Sequence, residues 1–193
     1  MTLSLFKRVT SLTDEELMRR VAGNDDDKAF DELYHRHARR LMGFFYRQMG
    51  DDASLAADYT QDTFLRIWSA RVGYNGAAFR TWLYCIAYNL CKNHYRHISY
   101  EQAYETHVYD NNEEAIDEDI TVRIDKAAFD SALQLELAKL SPPNRLLFSL
   151  RFEEDLTVPQ MATILNIPEG TVKSRLHSLT QTLKTKLLSY GNI

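Results

Sequence analysis

Two cysteines, Cys85 and Cys91, stand close to His94 and His97, and thiolate and imidazole are the ligands of choice for zinc. Cys91 and His94 lie one helical turn apart. Cys85 and Cys91 are six residues apart, which is about 240° around a helix, so they face different directions. No tetrahedral set closes on one helix with that phasing, and neither a metal site nor a cofactor is expected. No nucleophile–base set and no glycine-rich phosphate loop is evident. The expectation is a protein that is not an enzyme and takes no small-molecule substrate.

The residue types point instead to binding. Arg80, Tyr84, Tyr88, Lys92 and Arg96 recur at i, i+4, i+8, i+12 and i+16 as one slowly drifting helical row. Cations meet phosphates and ring faces stack on unpaired bases, so the row suits nucleic acid. It equally suits a solvated polar face with ordinary tyrosine anchors. A second group lies near the C-terminus. There VPQMATIL reads as a short helix, Asn166-Ile167-Pro168 as a tight turn, and Glu169 to about Leu187 as a longer helix. That is the pattern of a helix-turn-helix. Its second helix displays Glu169, Gly170, Thr171, Lys173, Ser174, Arg175 and His177 first, side chains able to approach a major groove. The alternative is a helical hairpin that binds nothing.

The elements that must hold these residues are helices. Seven Gly and four Pro in 193 residues disfavour a loop-rich β fold. Thr13 and Glu16 have the spacing of a capping box. Phe30, Leu33, Tyr34, His37, Ala38, Leu41, Met42 and Phe45 recur at steps of three and four, one apolar stripe of a helix. His37 is expected to be a packed core histidine, and Arg36, Arg39, Arg40 and Arg47 a solvated face. Gly50-Asp51-Asp52 ends that helix. Phe79, Trp82, Leu83, Ile86, Ala87 and Leu90 form a second stripe. In the C-terminal block Ser141 reads as an N-cap with Pro142 at the first helical position, and Leu146, Leu147 and Leu150 face inward. Thr157 with Pro159 opens the short helix, whose apolar face is Met161, Ala162, Ile164 and Leu165. Val172, Leu176, Leu179, Leu183 and Leu187 stripe the last one.

The segment ASLAADYTQDTFLRIWSA (53–70) is apolar on two sides beside an acidic strip. Asp58, Asp62 and Arg66 share a face; Phe64 and Trp68 form an i,i+4 pair, and Tyr59, Thr63 and Ile67 another row. Such a helix is either wholly buried or has one face on its own core and the other on a protein partner. Periodicity leaves both open.

Charge is distributed unevenly. The chain has 23 Lys+Arg and 27 Asp+Glu, a net charge of −4. Residues 1–98 carry 14 basic and 12 acidic side chains (+2), 99–128 carry 2 and 9 (−7), and 129–193 carry 7 and 6 (+1). Global acidity on its own argues against a nucleic-acid binder. The partition removes that objection, because the excess lies in one middle stretch without sustained apolar period, read as a linker between two small helical domains. An acidic helix packed on one domain is the other reading. Two cysteines make no disulfide framework, which fits a reducing cytoplasm. No apolar run is long enough to span a membrane, and MTLSLFKRVTSL lacks the basic-then-apolar order of a signal peptide.

From about Asp14 to Leu187 the chain resembles the extracytoplasmic-function (ECF) group of bacterial sigma factors, in the sigma-70 family of RNA polymerase specificity subunits. The motifs are DYTQDTFLRIW (58–68), FRTWLYCIAYNL (79–90) and LTVPQMATILNIPEGTVKSRLHSL (156–179). Their order and spacing make the resemblance specific. It implies an all-α protein with a sigma2-like helical bundle (13–98), an acidic linker (99–128) and a sigma4-like helix-turn-helix domain (129–188). It implies binding to core RNA polymerase, on the β′ clamp helices and the β subunit. Asp58, Gln61, Asp62, Phe64, Arg66 and Trp68 match the clamp-docking motif. Arg80, Trp82, Tyr84, Tyr88, Asn89, Lys92 and Arg96, with the loop Ala70–Ala78 before them, match the part that melts the −10 element and holds an extruded base. Thr171, Lys173, Ser174, Arg175 and His177 match the −35 reader. Promoter DNA and a membrane-linked anti-sigma factor are the further partners implied, and an envelope or external signal the trigger. Departures from the family pattern are Ala56 and Ala57 before the DYTQD core, Asn93 in the −10 helix, Asp155 in place of a frequent Gly, Pro159-Gln160 in place of an acidic pair, and a less basic end to the last helix.

Overall fold

Thr13 takes its hydrogen bond from the Glu16 amide (3.2 Å), and the Glu16 carboxylate accepts from the Thr13 amide (2.8 Å), which starts α1 (Asp14–Asn24) with a complete capping box. The computed structural model describes residues 9–105 and 126–190, and among them every regular element is helical. Asp26 caps α2 (Asp27–Gln48) and Asp52 caps α3 (Ala53–Ala70), each through its own Oδ1. Between α2 and α3 the chain reverses through Gly50 and Asp51 at φ 68° and 65°, a left-handed pair that suits Gly and tolerates Asp. A 3-10 turn (Arg71–Gly73) and a short loop lead to α4 (Phe79–Glu105). Then come α5 (Lys126–Ala138), α6 (Pro142–Phe148), α7 (Val158–Leu165) and α8 (Glu169–Tyr190).

The chain divides into two compact units, one centred on α1–α4 and the other on α5–α8. In the first, α2 packs on both α1 and α3. Leu17, Met18 and Val21 of α1, Leu33, Leu41, Phe44 and Phe45 of α2, Ile67 of α3 and Leu83 of α4 are all buried. Edge-to-face pairs set the aromatic layer: Phe44 with Phe45 at 5.5 Å and with Tyr84 at 5.4 Å. In the second unit Leu146, Leu147, Leu150, Leu156, Met161, Val172, Leu179 and Leu183 are buried. Here α6 runs into one wide π turn (Ser149–Glu153), which ends at Asp155 with φ 51°. A positive φ is a conformation that suits glycine and that Asp tolerates. Asn166, at φ 52°, makes the equivalent stop between α7 and α8.

Several expectations change. Arg36 does not belong to a solvated face: it is held by Thr10, Leu12, Asp14 and Glu32. Ser141 stands at the N-cap of α6, but its side chain makes no capping bond. Gln160 closes the start of α7 instead, accepting from the Thr157 amide and hydroxyl (both 2.9 Å). Helix extends into both ends of the stretch read as a linker, to Glu105 on one side and from Lys126 on the other, since neither end contains Pro or Gly. The remainder, 106–125, lies outside the described residues. α5 was not foreseen from the sequence.

Glu136 joins α5 to α8. Its carboxylate is buried and accepts from Tyr190 Oη (2.7 Å) and Lys139 Nζ (2.6 Å), with Lys186 at 3.9 Å. The Lys139 and Tyr190 hydrogen bonds hold its carboxyl below the usual range. Glu136→Ala is expected to cost about 1–3 kcal/mol in the second unit. Faster hydrogen exchange of α8 amides, with those of α2 unchanged, is the measurement.

Candidate functional site

α3 resolves the ambiguity of its two apolar sides. Ala56, Thr60, Thr63, Phe64 and Ile67 are buried, and the two threonine hydroxyls donate to the carbonyls of Ala56 and Tyr59 (2.7 Å each). Ala56 is fully buried. Tyr59 stacks on Phe45 (5.5 Å) and meets His94 Nδ1 through its hydroxyl (3.1 Å). Phe64 is only 3% exposed, packed between Phe30 (6.0 Å) and Tyr34 (4.7 Å), so this member of the expected docking set belongs to the core. Its burial follows from helical phase: it follows Thr60 by four residues on the inward side.

The outward side of α3 carries Asp58, Gln61, Asp62 and Arg66, and Arg66 Nε donates to Asp62 Oδ2 (3.1 Å). Leu65 lies among them, 57% exposed. Sequence reasoning missed it, although its offsets of seven from Asp58 and three from Asp62 put it on that side. Trp68 is half-buried against Phe30 (5.0 Å), with the Arg71 guanidinium 4.5 Å over its ring.

α4 presents a different face from the one its i+4 row implies. Steps of four advance about 400°, so the row turns some 40° per step and crosses the core boundary. Phe79, Leu83, Tyr84, Ala87, Leu90 and Cys91 are buried, while Trp82 and Ile86 are half-exposed at the margin of the expected stripe. Tyr84, 2% exposed and edge-on to Phe44, is therefore a core residue and not a stacking platform. Lys92, Arg96 and Asn89 are exposed, Tyr88 is half-buried, and Arg80 sits half-buried in the first turn. Trp82, Cys85, Asn89, Lys92 and Arg96 follow i, i+3, i+7, i+10 and i+14 and share the side away from the core. Among the described residues no three potential metal ligands converge. Burial pushes both thiols up, Cys91 far above the ordinary range, so neither is a thiolate at neutral pH.

The loop before α4 folds on itself. Tyr74 donates its hydroxyl to the Ala77 carbonyl, the Asn75 side chain accepts from the Ala77 amide (3.1 Å), and Gly76 takes φ 83°. The Tyr74 ring lies 5.3 Å from Trp82, which also meets Phe79 at 6.4 Å. In the second unit α8 exposes Lys173, Ser174, Arg175 and His177, while Thr171 is half-buried and its carbonyl accepts from the Ser174 hydroxyl (3.0 Å). Val172, Leu179 and Leu183 turn inward, so the polar first turns of α8 face solvent.

Residues 33–99 match the family described as Sigma-70 region 2, and residues 130–178 match Sigma-70, region 4. The chain is 30% identical over 162 residues to the ECF RNA polymerase sigma factor SigL of Mycobacterium tuberculosis, covering 82% of this chain and 89% of that one. It is 28% identical over 176 residues to the RNA polymerase sigma-H factor of Pseudomonas aeruginosa, covering 87% and 90%. Two solved structures share its fold. CnrH, solved with the cytosolic domain of CnrY, matches with a TM-score of 0.65 at 22% identity, covering 91% of this chain and 97% of that chain. RpoE of Bartonella quintana, solved with the anti-sigma factor NepR, matches with a TM-score of 0.60 at 21% identity, covering 83% and 97%.

Proposed function

The chain belongs to the ECF sigma factors of the sigma-70 family, and from that premise we propose how its residues divide the work of transcription initiation. A sigma factor is a non-catalytic subunit that directs RNA polymerase to promoters. In this reading 13–98 is the unit that docks on core polymerase and opens the −10 element, 99–128 is the acidic linker, and 129–188 reads the −35 element. Asp58, Gln61, Asp62 and Arg66, with Leu65 as apolar centre and Trp68 at the margin, meet the β′ clamp helices; the β subunit completes the contact with core. Arg80, Lys92 and Arg96 take phosphates, and Trp82, Tyr88 and Asn89 meet bases of the opened strand. Tyr84 and Phe64 support these faces from inside.

The energetics are of matching size. Unstacking costs a few kcal/mol per step, and aromatic stacking returns about 1–3 kcal/mol per base. Both domains carry little net positive charge, so core polymerase supplies much of the positive surface that holds DNA. In the second domain Thr171 and Ser174 meet the backbone while Lys173, Arg175 and His177 reach toward base edges. Arg175→Ala is expected to cost about 1–3 kcal/mol at the −35 element and to relax preference at one base pair. Competition between promoter variants, with sigma bound to core, measures it.

The observation that carries this reading is that α3 exposes an acidic and apolar side while α4 exposes Lys92 and Arg96. RpoE of Bartonella quintana was solved with the anti-sigma factor NepR, and on that likeness we assign this chain an anti-sigma antagonist, membrane-anchored and released by an envelope or external signal. The site of action is the cytoplasm. Among the described residues no helix is long and apolar enough to cross a membrane. Transcription reconstituted with core polymerase on genomic promoter fragments tests the whole reading. Promoter-dependent initiation that requires this chain is expected, and its absence across all fragments overturns the assignment.

A further inference from the structure

α1 holds the loop 71–78 at both of its ends. At the near end Arg71 Nε donates to Asp25 Oδ1 (2.5 Å), the residue that closes α1 at φ 51°. At the far end the Phe79 amide, the first of α4, donates to Glu15 Oε1 (3.0 Å). Glu15 and Asp25 are ten residues apart, about 15 Å along a helix axis, so the loop ends are fixed by one rigid rod. The rod is itself fixed: Asp14 bonds Arg36 (2.9 Å) and His37 (2.7 Å) of α2, and the capping box locks the first turn. Arg71 has a second hold, Nη1 to the Trp68 carbonyl (2.8 Å). Within the loop both Tyr74 and Asn75 bond Ala77 through their side chains. Burial and then the Glu15 carboxylate raise the Tyr74 hydroxyl above its ordinary range, so it stays a donor at neutral pH. α1 lies outside residues 33–99, the part that matches region 2.

We propose that α1 is a strut that sets the span of the 71–79 loop, and that Glu15 and Asp25 are positioning residues for capture of the extruded −10 base. The inference rests on reading this loop as the base-holding element. A loop with one end free samples more conformations, and the order lost must be supplied again when the base docks. Glu15 matters most, because a carboxylate at a helix N-terminus satisfies an orphan amide and faces the positive end of the helix dipole.

The experiment uses the full chain bound to core polymerase and a promoter with 2-aminopurine at the extruded −10 position. Glu15→Ala with Asp25→Ala is expected to slow opening about tenfold while core affinity stays within about twofold. Glu15→Gln alone is expected to stay near wild type, since an amide oxygen still accepts from the Phe79 amide. Wild-type opening rates in the double variant overturn the strut. So does a loss of opening that merely follows a fall in core affinity or in the melting temperature read by tryptophan fluorescence, because that is a role in the fold alone. Failure of the wild-type chain to raise 2-aminopurine fluorescence at all removes the reading of the loop itself, a separate result.

Discussion

Asp62→Arg is expected to weaken association with core RNA polymerase by about 2–5 kcal/mol, at least thirtyfold, while leaving the helical bundle folded. The asymmetry follows from where the residue sits. Its partner in the free protein is Arg66, one turn away on the outward side of α3, with both side chains about half exposed. Such an i,i+4 pair contributes only about 0.3–0.5 kcal/mol to the helix, so its loss is hardly felt in stability. In the proposed interface the same carboxylate loses its water and meets a cation, so reversing its charge sets like charges together. Leu65→Asp on the same side is expected to be comparably harmful, since an exposed leucine ringed by polar residues has the anatomy of an interface centre. Fluorescence anisotropy of labelled protein titrated with core polymerase measures both. Unchanged affinity in the two variants would remove α3 as the docking face.

The distribution of charge acquires a physical role in this arrangement. A free protein with domains of net +2 and +1 and a stretch of −7 between them has little electrostatic attraction for DNA. Each exposed basic side, on α4 and on α8, is small and becomes effective beside another polycation. In the proposed arrangement the charge pattern, together with α3, makes DNA binding depend on core polymerase.

Much of this was legible because it is local. Capping boxes, i+3/i+4 stripes and the Asn166-Ile167-Pro168 stop are encoded within a few residues, and α1, α2, α7 and α8 follow them. What escaped depends on phase or on distance. Tyr84 lies at the edge of the buried arc of α4, where 40° of drift separates a surface ring from a core ring. Phe64 pairs with Trp68 at i,i+4, and periodicity leaves its exposure open until Phe30 and Tyr34 cover it. Leu65 was passed over because one apolar residue amid charges has no period of its own. α5 adjoins an acidic stretch whose composition masks the helix, and the turn after α6 widens by one residue without Gly or Pro to announce it. The loop's tie to α1 spans 46 residues from Asp25 to Arg71 and 64 from Glu15 to Phe79, beyond any sequence window.

Arg36→Ala is expected to destabilise the first unit by about 2–4 kcal/mol, the largest stability effect of any surface-accessible residue in it. Four acceptors converge on this guanidinium: Glu32 Oε1 (2.8 Å), Asp14 Oδ1 (2.9 Å), and the carbonyls of Leu12 (2.9 Å) and Thr10 (3.0 Å). Truncation removes this partner from Glu32, leaves Asp14 with His37, and frees the turn that precedes α1. Lysine cannot span the fork, so Arg36→Lys is expected to recover less than half of the loss. The same network gives the stability an acid limb. Hydrogen bonding to His37, then its charge and the bond and charge of Arg36, hold the Asp14 carboxyl below its ordinary range against the opposing effect of burial. A depressed folded-state value means the contribution is complete above the unfolded value of about 3.9 and drains away as pH falls through the folded one. Asp14→Asn is therefore expected to cost about 1–2 kcal/mol at pH 7 and progressively less as pH falls below 4. Both tryptophans, Trp68 and Trp82, lie in the first unit, so their fluorescence in urea follows this unit alone. A difference between Asp14→Asn and wild type that stays constant from pH 7 to pH 3 would show that the bond to His37 and Arg36 is not what holds α1 in place.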